Sequence, residues 1–468
     1  MSSKGSILLL NVRRASIGPA ENGSDYLGLF YLAAVLEEKG YDPWVFHGNV
    51  HEVPGVLEKM PEVVAVGLAC DFENRTAVEE LSLFIKETHG LPVVIGGPQA
   101  VALGEDFSRR SRCDYIVRGE AEETFPELLD HILASSGRRE DIPGIAWMED
   151  DTLRATIDRE PVEDLDSLPF PAYHRSLHEG RLYGRSVFTG RGCPFSCAFC
   201  AQSRHKRRVR MRRMDSVLEE IRRNLDLSPD LKYITLSDDV FTLQPRRVEA
   251  FCTGMRELRR ERDLVWYCEG HVHLLAEHPE MLPMMAEAGL VRLQIGVETG
   301  SQEVLDLYGK GVRLKEIEFV VREAVRSGIP QVATNLIVGG PLTGEKTLEE
   351  TANFAERLME AAPGTIDILT GFLRPYPGTA IAGRPEDFGL TVVDGEGVRS
   401  VDDFPLIVSE GVGREDILLH RFILSKRIAE AMRKLLAEGR VPHETILSQY
   451  HLALNHGVTS LWYLEFFK

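Results

Sequence analysis

The sequence predicts an α/β protein built from two parallel-sheet modules in tandem, with a mainly helical segment after them. Three observations lead there. Apolar strand-like runs alternate with helical patterns from Ile7 to about residue 131, and again from Ser186 to about residue 378. A chain of 468 residues is also too long for one ordinary core, so two to three domains are expected. Between the two alternating stretches lies a segment rich in proline and acidic residues, Glu160 to Pro171 being its densest part. The expected layout is an N-terminal domain at 1–142, a linker at 143–183, a second domain at 184–380 and a C-terminal segment at 381–468.

In the first domain Ile7–Val12, Pro43–His47, Val63–Ala69, Pro92–Ile95 and Tyr115–Val117 read as strands. Leu27–Lys39, Val53–Lys59, Ala77–His89 and Thr124–Leu133 read as helices between them. Five strands with intervening helices imply a doubly wound, Rossmann-like parallel sheet, whose ligands bind at the carboxyl ends of its strands. Gly96 and Gly97 follow the fourth strand, Gly119 and Glu120 follow the fifth, and Gly67 lies within the third. Prolines 161, 169 and 171 give the linker an extended path.

In the second domain Ser186–Thr189, Tyr233–Leu236, Val265–Cys268, Leu293–Val297, Gln331–Ile337 and Ile366–Phe372 read as six strands, with a helix at Met214–Leu225. The second strand ends in Asp238 and Asp239, and the fourth runs into Glu298 between Gly296 and Gly300. The third ends in a cluster of Tyr267, Cys268, Glu269, His271 and His273 that offers a proton acceptor or a substrate contact. Tyr267 and Cys268 are taken as its catalytic candidates. Strand residues alternate, so Tyr267 and Glu269 oppose Cys268 and one set at most faces the interior. Beyond residue 380 the pattern is a helix at Asp416–Glu438, a shorter helix and an aromatic end.

The first strand of this domain leads into Cys193, Cys197 and Cys200, which follow one another with gaps of three and two residues. One tight loop, eased by Gly190 and Gly192, aims three thiolates at a single centre. A [4Fe–4S] cluster takes four ligands, so three cysteines leave one iron open. A zinc site would need a fourth ligand, for which His205 is available, but structural zinc favours paired C-x2-C units. Seven cysteines, an odd number, point to a reducing cytoplasm rather than a disulfide framework. No apolar run reaches the roughly 20 residues that span a bilayer. A formal net charge of −18 argues against a general nucleic-acid binder.

The C-x3-C-x2-C pattern, with aromatic Phe199 before the last cysteine, resembles the radical S-adenosylmethionine (SAM) superfamily. The first domain resembles the cobalamin-binding domain that precedes many radical SAM modules, and "LDSLPFPAY" at 165–173 is similar to the segment joining the two. The signature D-x-H-x2-G is absent, and His47, after the second strand, lacks its context. The resemblance implies a partial (β/α)6 barrel with its site at the carboxyl ends of the strands. It implies a [4Fe–4S] cluster on Cys193, Cys197 and Cys200, with SAM chelating the open iron. SAM would be met by Asp238, Asp239, Glu298 and the backbone of Phe199, with Asn335–Glu345 beside adenine. Cobalamin would be met by Gly67, Gly96, Gly97, Gly119 and Glu120, its nucleotide tail entering a slot lined by Gly67 and Ala69. The basic run His205–Arg213 has readings as an anchor for SAM carboxylate, cobalamin phosphate or RNA, and as a solvated face. The C-terminal segment would cap the barrel and touch substrate.

The activity so implied is cobalamin-dependent methyl transfer. A 5′-deoxyadenosyl radical takes a hydrogen atom from an unactivated carbon, or from a phosphinate, and the methyl group of methylcobalamin follows. Alternatives are a non-methylating rearrangement, ring contraction or cyclisation, and a redox-responsive binding protein with a structural cluster. The partners implied are a small-molecule or peptide substrate and a reductant such as flavodoxin or ferredoxin.

Overall fold

The computed structural model describes residues 3–13, 26–134, 137–177, 184–204, 208–393, 404–462 and 464. The chain divides into two compact units, residues 1–181 and 182–468.

The first unit is built on a seven-stranded sheet. Its parallel part is β1 (Ser6–Arg13), β2 (Asp42–Asn49), β3 (Val63–Ala69), β4 (Val93–Gly96) and β5 (Tyr115–Val117), in the spatial order 2-1-3-4-5. That is the flavodoxin-like form of the doubly wound sheet. The central strand β1 reads SILLLNVR because both its faces are covered: Leu8 and Leu10 enter one apolar cluster, Ile7 and Leu9 the other. Two elements differ from expectation. Glu105–Ser111 is a helix, too short and too charged for its period to show. Residues 145–155, expected as extended linker, form an antiparallel hairpin, β6 (Ile145–Glu149) and β7 (Thr152–Ala155), added beyond β5. Its turn is Asp150-Asp151 with both φ positive, a job usually signalled by Asn-Gly or Asp-Gly. The rest of the linker runs back over the opposite edge. Leu177 donates its N–H to the Val45 carbonyl of β2, and Ala172 to that of Phe30.

The second unit holds six parallel strands in sequential order: Gly184–Val187, Tyr233–Leu236, Val265–Gly270, Leu290–Glu298, Gln331–Val338 and Ile366–Phe372. The first and sixth are edges, so this is a partial (β/α)6 barrel. Trp266, Cys268, Leu293, Ile295 and Val297 belong to its large outer core with helix residues such as Phe251, Met285 and Phe354. The alternate residues Tyr267, Glu269, Gln294 and Gly296 are only half-buried and line the lumen.

The tail is helical at Arg414–Ala437 and His443–His456. Arg427 of the first helix bonds Glu349, Asn353 and Glu356 of the helix Glu345–Ala361. The second helix and the turn after it occupy the other end of the barrel from the one expected for a substrate cap. Gln449 exchanges hydrogen bonds with Gln331 and the Pro330 carbonyl, at 2.7 and 2.8 Å. Arg292 donates to the Thr459 carbonyl, Asp367 accepts from Leu461 N–H, and Trp462 donates to the Gly364 carbonyl. All of these barrel residues sit at or near strand N-termini, so this part of the tail closes the mouth away from the cysteine loop.

Candidate active site

The cysteine loop leaves the first barrel strand and is pinned from four sides. Gly190–Arg191 pairs antiparallel with Arg210–Met211, and Arg212 N–H donates to the Thr189 carbonyl. Ala198 donates to the Tyr308 carbonyl and accepts from Ile381 N–H. Gly192 is required as glycine: its φ is +96°, and a Cβ there would lie 2.1 Å from the Arg208 carbonyl oxygen. The visible end of the basic run is structural. Arg212 and Glu220, 2% and 1% exposed, form an ion pair at 2.5 Å. His205–Arg207 lie outside the described residues, and with them the fourth ligand of the zinc reading.

Cys193, Cys197 and Cys200 are not joined by disulfides, and burial pushes the Cys197 thiol up to about 11. Among the described residues no three His, Cys, Asp or Glu side chains converge as a single-ion site requires. A four-iron cluster does not ask for that convergence, because each thiolate meets a different iron. The donor set therefore fits a cluster.

The two aspartates after the second strand grip the loop rather than stand free. Both oxygens of buried Asp238 are taken by Thr189, from its N–H at 2.6 Å and its Oγ1 at 2.5 Å. Asp239 accepts from the Gly192 backbone and the Gln202 side chain. Burial pushes both carboxyls up to about 6. Glu298 closes the fourth strand at φ +64°, a strained value for a non-glycine, and takes the Lys310 ammonium at 2.6 Å. Burial opposes the charge on Lys310, but Glu298, Cys197 and Cys200 outweigh it and hold its pKa up. Lys310 Nζ also lies 5.9 Å from the ring centre of Phe199, which meets Tyr308 edge-on. Lys310 was not anticipated: a single lysine between two glycines carries no pattern.

Below this layer the lumen holds a hydrogen-bonded trio. Tyr267 Oη donates to Gln294 Oε1 at 2.9 Å, and Gln294 Nε2 donates to Glu269 Oε1 at 3.0 Å. Tyr267 Oη lies 3.3 Å from the same Glu269 oxygen. Burial pushes the Glu269 carboxyl up to about 7. The expectation for Cys268 is corrected: its side chain is fully buried in the outer apolar core, and burial holds its thiol protonated. Cys70, Cys113 and Cys252 are likewise buried, with thiols pushed up to between about 11 and about 12. His271 stacks on Phe195 of the loop at 3.7 Å, and burial keeps it neutral. His273 turns to Glu316 and Glu277 on the barrel's outer helices.

In the first unit, Gly96, Gly97, Gly119 and Glu120 gather at the carboxyl edge of the sheet. Gly97 is forced by the chain itself, with φ +103° and a Cβ position 2.7 Å from the Cys70 carbonyl oxygen. Gly119 faces open space, and Glu120 accepts from the Val162 N–H. The slot expected at Gly67 is filled: a Cβ there would sit 2.9 Å from Leu9 and 3.2 Å from Phe125. Its small size serves core packing. Nearby, Asn74 ties the ends of β1 and β3 by donating to Val12 and Ala69 carbonyls, and Asn11 bonds His47 Nδ1.

Comparison with known proteins places this geometry. The profile of the Radical SAM superfamily matches residues 187–355. An uncharacterized methyltransferase of Pyrococcus horikoshii is 29% identical over 371 residues, 76% of this chain and 77% of that protein. An anaerobic magnesium-protoporphyrin IX monomethyl ester cyclase of Cereibacter sphaeroides is 26% identical over 69% of this chain, which spans 55% of the cyclase. Among solved structures, the radical SAM methyltransferase TsrM from Kitasatospora setae, with cobalamin and a [4Fe–4S] cluster bound, superposes with TM-score 0.65. It covers 84% of this chain and 81% of its own at 18% identity, a likeness of fold. Residues 187–355 thus match a radical SAM domain, which implies a [4Fe–4S] cluster and SAM. The α/β unit followed by this barrel has the fold of TsrM.

Proposed function

We propose that the protein is a cobalamin-dependent radical SAM methyltransferase acting on an unactivated carbon or a phosphinate. The observation that carries this reading is the three-thiol loop fixed at the carboxyl ends of the barrel strands, beside the Glu298–Lys310 pair and above a polar lumen. The cluster with SAM supplies a 5′-deoxyadenosyl radical, and cobalamin supplies the methyl group. The chain's part is to hold the three in line and exclude water. Asp238 and Asp239 fasten the loop, so their contribution to SAM is to fix where the open iron lies. Glu298 and Lys310 offer an acceptor and a donor on the lumen side of the loop. At the sheet edge of the first unit, Gly119 leaves the backbone approachable for cobalamin, with Gly96 beside it. We place the protein in a reducing cytoplasm, drawing electrons from a flavodoxin or ferredoxin, because its seven cysteines are odd in number and three of them form the cluster loop. Among the described residues no helix is long and apolar enough to cross a membrane.

The cyclase relative favours a second reading, in which cobalamin assists a non-methylating rearrangement. Anaerobic reconstitution with iron, sulfide and hydroxocobalamin, then SAM and a strong reductant, separates the two by mass spectrometry. 5′-Deoxyadenosine with S-adenosylhomocysteine, both lost in Cys197→Ala, is the expected outcome. 5′-Deoxyadenosine alone, from cobalamin-loaded protein, would replace methyl transfer with rearrangement.

A further inference from the structure

The lumen trio has a directional property that the methyl-transfer reading does not use. Glu269 Oε1 receives Gln294 Nε2 and lies 3.3 Å from Tyr267 Oη, whose one proton goes to Gln294 Oε1. Among the described residues no donor reaches Oε2. The carboxylate is thus fixed by one oxygen and presents the other to the lumen. It sits on the inner face of the third strand, in register with Gln294 on the fourth. Two residues further along the fourth strand is Gly296, over which Lys310 and Glu298 close. Glu269 therefore lies one layer deeper than the groups that face the cysteine loop.

The charge around it is one-sided. The charged groups that bear on Glu269 are Asp239 from the second strand, with Glu298 and Lys310 from the fourth strand and its following turn. Tyr267 faces it as a neutral donor, burial keeping its phenol well above the usual range. Lys310 is already engaged by Glu298 at 2.6 Å. Among the described residues Asp239 and Glu269 are left as acids without a cation of their own in a half-buried space. Coulomb attraction is several times stronger there than in water. A carboxylate or phosphate ligand would be repelled at this layer, and a neutral hydroxyl would leave the charge unbalanced.

We infer that Glu269 anchors a protonated amine of the substrate, held on Oε2 beneath the SAM layer. This deepens the methyl-transfer reading and rests on it only for what happens next to the anchored molecule. A cation at Oε2 favours the ionised carboxylate. Because burial holds the empty carboxyl near neutral pH, binding of the amine at pH 7 expels a proton from Glu269.

The test is calorimetry on anaerobic protein loaded with cluster, cobalamin and SAM, without reductant. The probes are phenethylamine, phenethyl alcohol and phenylacetate, each in phosphate and in Tris. The amine is expected to bind at least about tenfold more tightly than either other probe, about 1.4 kcal/mol. Its apparent enthalpy should depend on the buffer because a proton is released. Glu269→Gln keeps the shape and the partners of Oε1. It should bring the three probes within about twofold and abolish the buffer dependence, with SAM affinity unchanged and no loss of melting temperature. Equal binding of the probes, binding of none, or an amine preference that survives in Glu269→Gln overturns the inference. The 5′-deoxyadenosine and S-adenosylhomocysteine assay on the same preparation reports separately on methyl transfer, so either reading can fall without the other.

Discussion

At the scale of single residues, the two aspartates after the second strand are the most instructive. Sequence placed Asp238 and Asp239 at the correct strand end. It could not show that both are spent on the cysteine loop, because hydrogen-bond direction depends on where Thr189 and Gly192 come to rest. Their cost can be measured. Asp238 is buried with its folded pKa raised to about 6. A raised carboxyl is fully tolerated below its unfolded value near 3.9 and destabilises progressively as pH rises through the folded value. Asp238→Asn, which imitates the protonated acid, should therefore gain on the parent by roughly 3 kcal/mol between pH 4 and pH 8. Denaturant titrations of apo-protein at the two pH values check this, and a difference that does not change with pH would refute it. Cys268 and Gly67 mark the opposite lesson. Alternation correctly set Cys268 against Tyr267 and Glu269, but only the packing of Trp266 and its neighbours shows which set faces inward.

At the scale of elements, the cysteine loop depends on a two-rung antiparallel pairing that its glycines permit. Gly192→Ala adds a methyl group 2.1 Å from the Arg208 carbonyl oxygen, at a φ that alanine resists. Gly389→Ala is the matched control, since Gly389 has φ +65° and nothing within 4 Å of its added Cβ. The backbone penalty at Gly389 is about 1–2 kcal/mol, and Gly192, at φ +96°, lies outside the left-handed α region and carries at least as much. The clash belongs to Gly192 alone. Iron bound after reconstitution should fall by more than half in Gly192→Ala and stay near the parent level in Gly389→Ala. Strands and long helices of both units were legible because their apolar period is strong. The hairpin at 145–155 was not, because its turn uses Asp150-Asp151 and its second strand is mostly exposed. Helix Glu105–Ser111 was hidden for a related reason: one apolar side chain, Phe107, anchors it.

At the scale of the whole molecule, the barrel has two differently built ends. Its upper strand ends carry the loop, the Glu298–Lys310 pair and the lumen acids. The tail closes its lower mouth with Gln449, Leu461 and Trp462. Truncation of Trp462, 4% exposed and bonded to the Gly364 carbonyl, should cost about 3–5 kcal/mol in the second unit. Hydrogen exchange should quicken at the lower ends of the strands, around Tyr233, Val265 and Val332. Peptides from residues 6–155 should exchange as before, and SAM affinity should move by less than about twofold. A large loss of SAM affinity would mean that the tail governs the upper end as well. Sequence offered only enough apolar residues to say that the tail packs. Which mouth it closes follows from polar contacts such as Gln331 with Gln449, which leave no periodic trace.

The seven thiols are divided by the fold into two populations. Four are buried in apolar layers, and burial holds each of them protonated. Burial raises Cys197 as well, so what sets the loop apart is not protonation but that Cys193, Cys197 and Cys200 stand within eight residues of one another. During cluster assembly, iron and sulfide find three sulfur ligands together on that loop. On exposure to air the damage falls on the same loop: its thiols must be reduced again before a second loading, while the interior thiols stay enclosed and the cores that present the loop are kept.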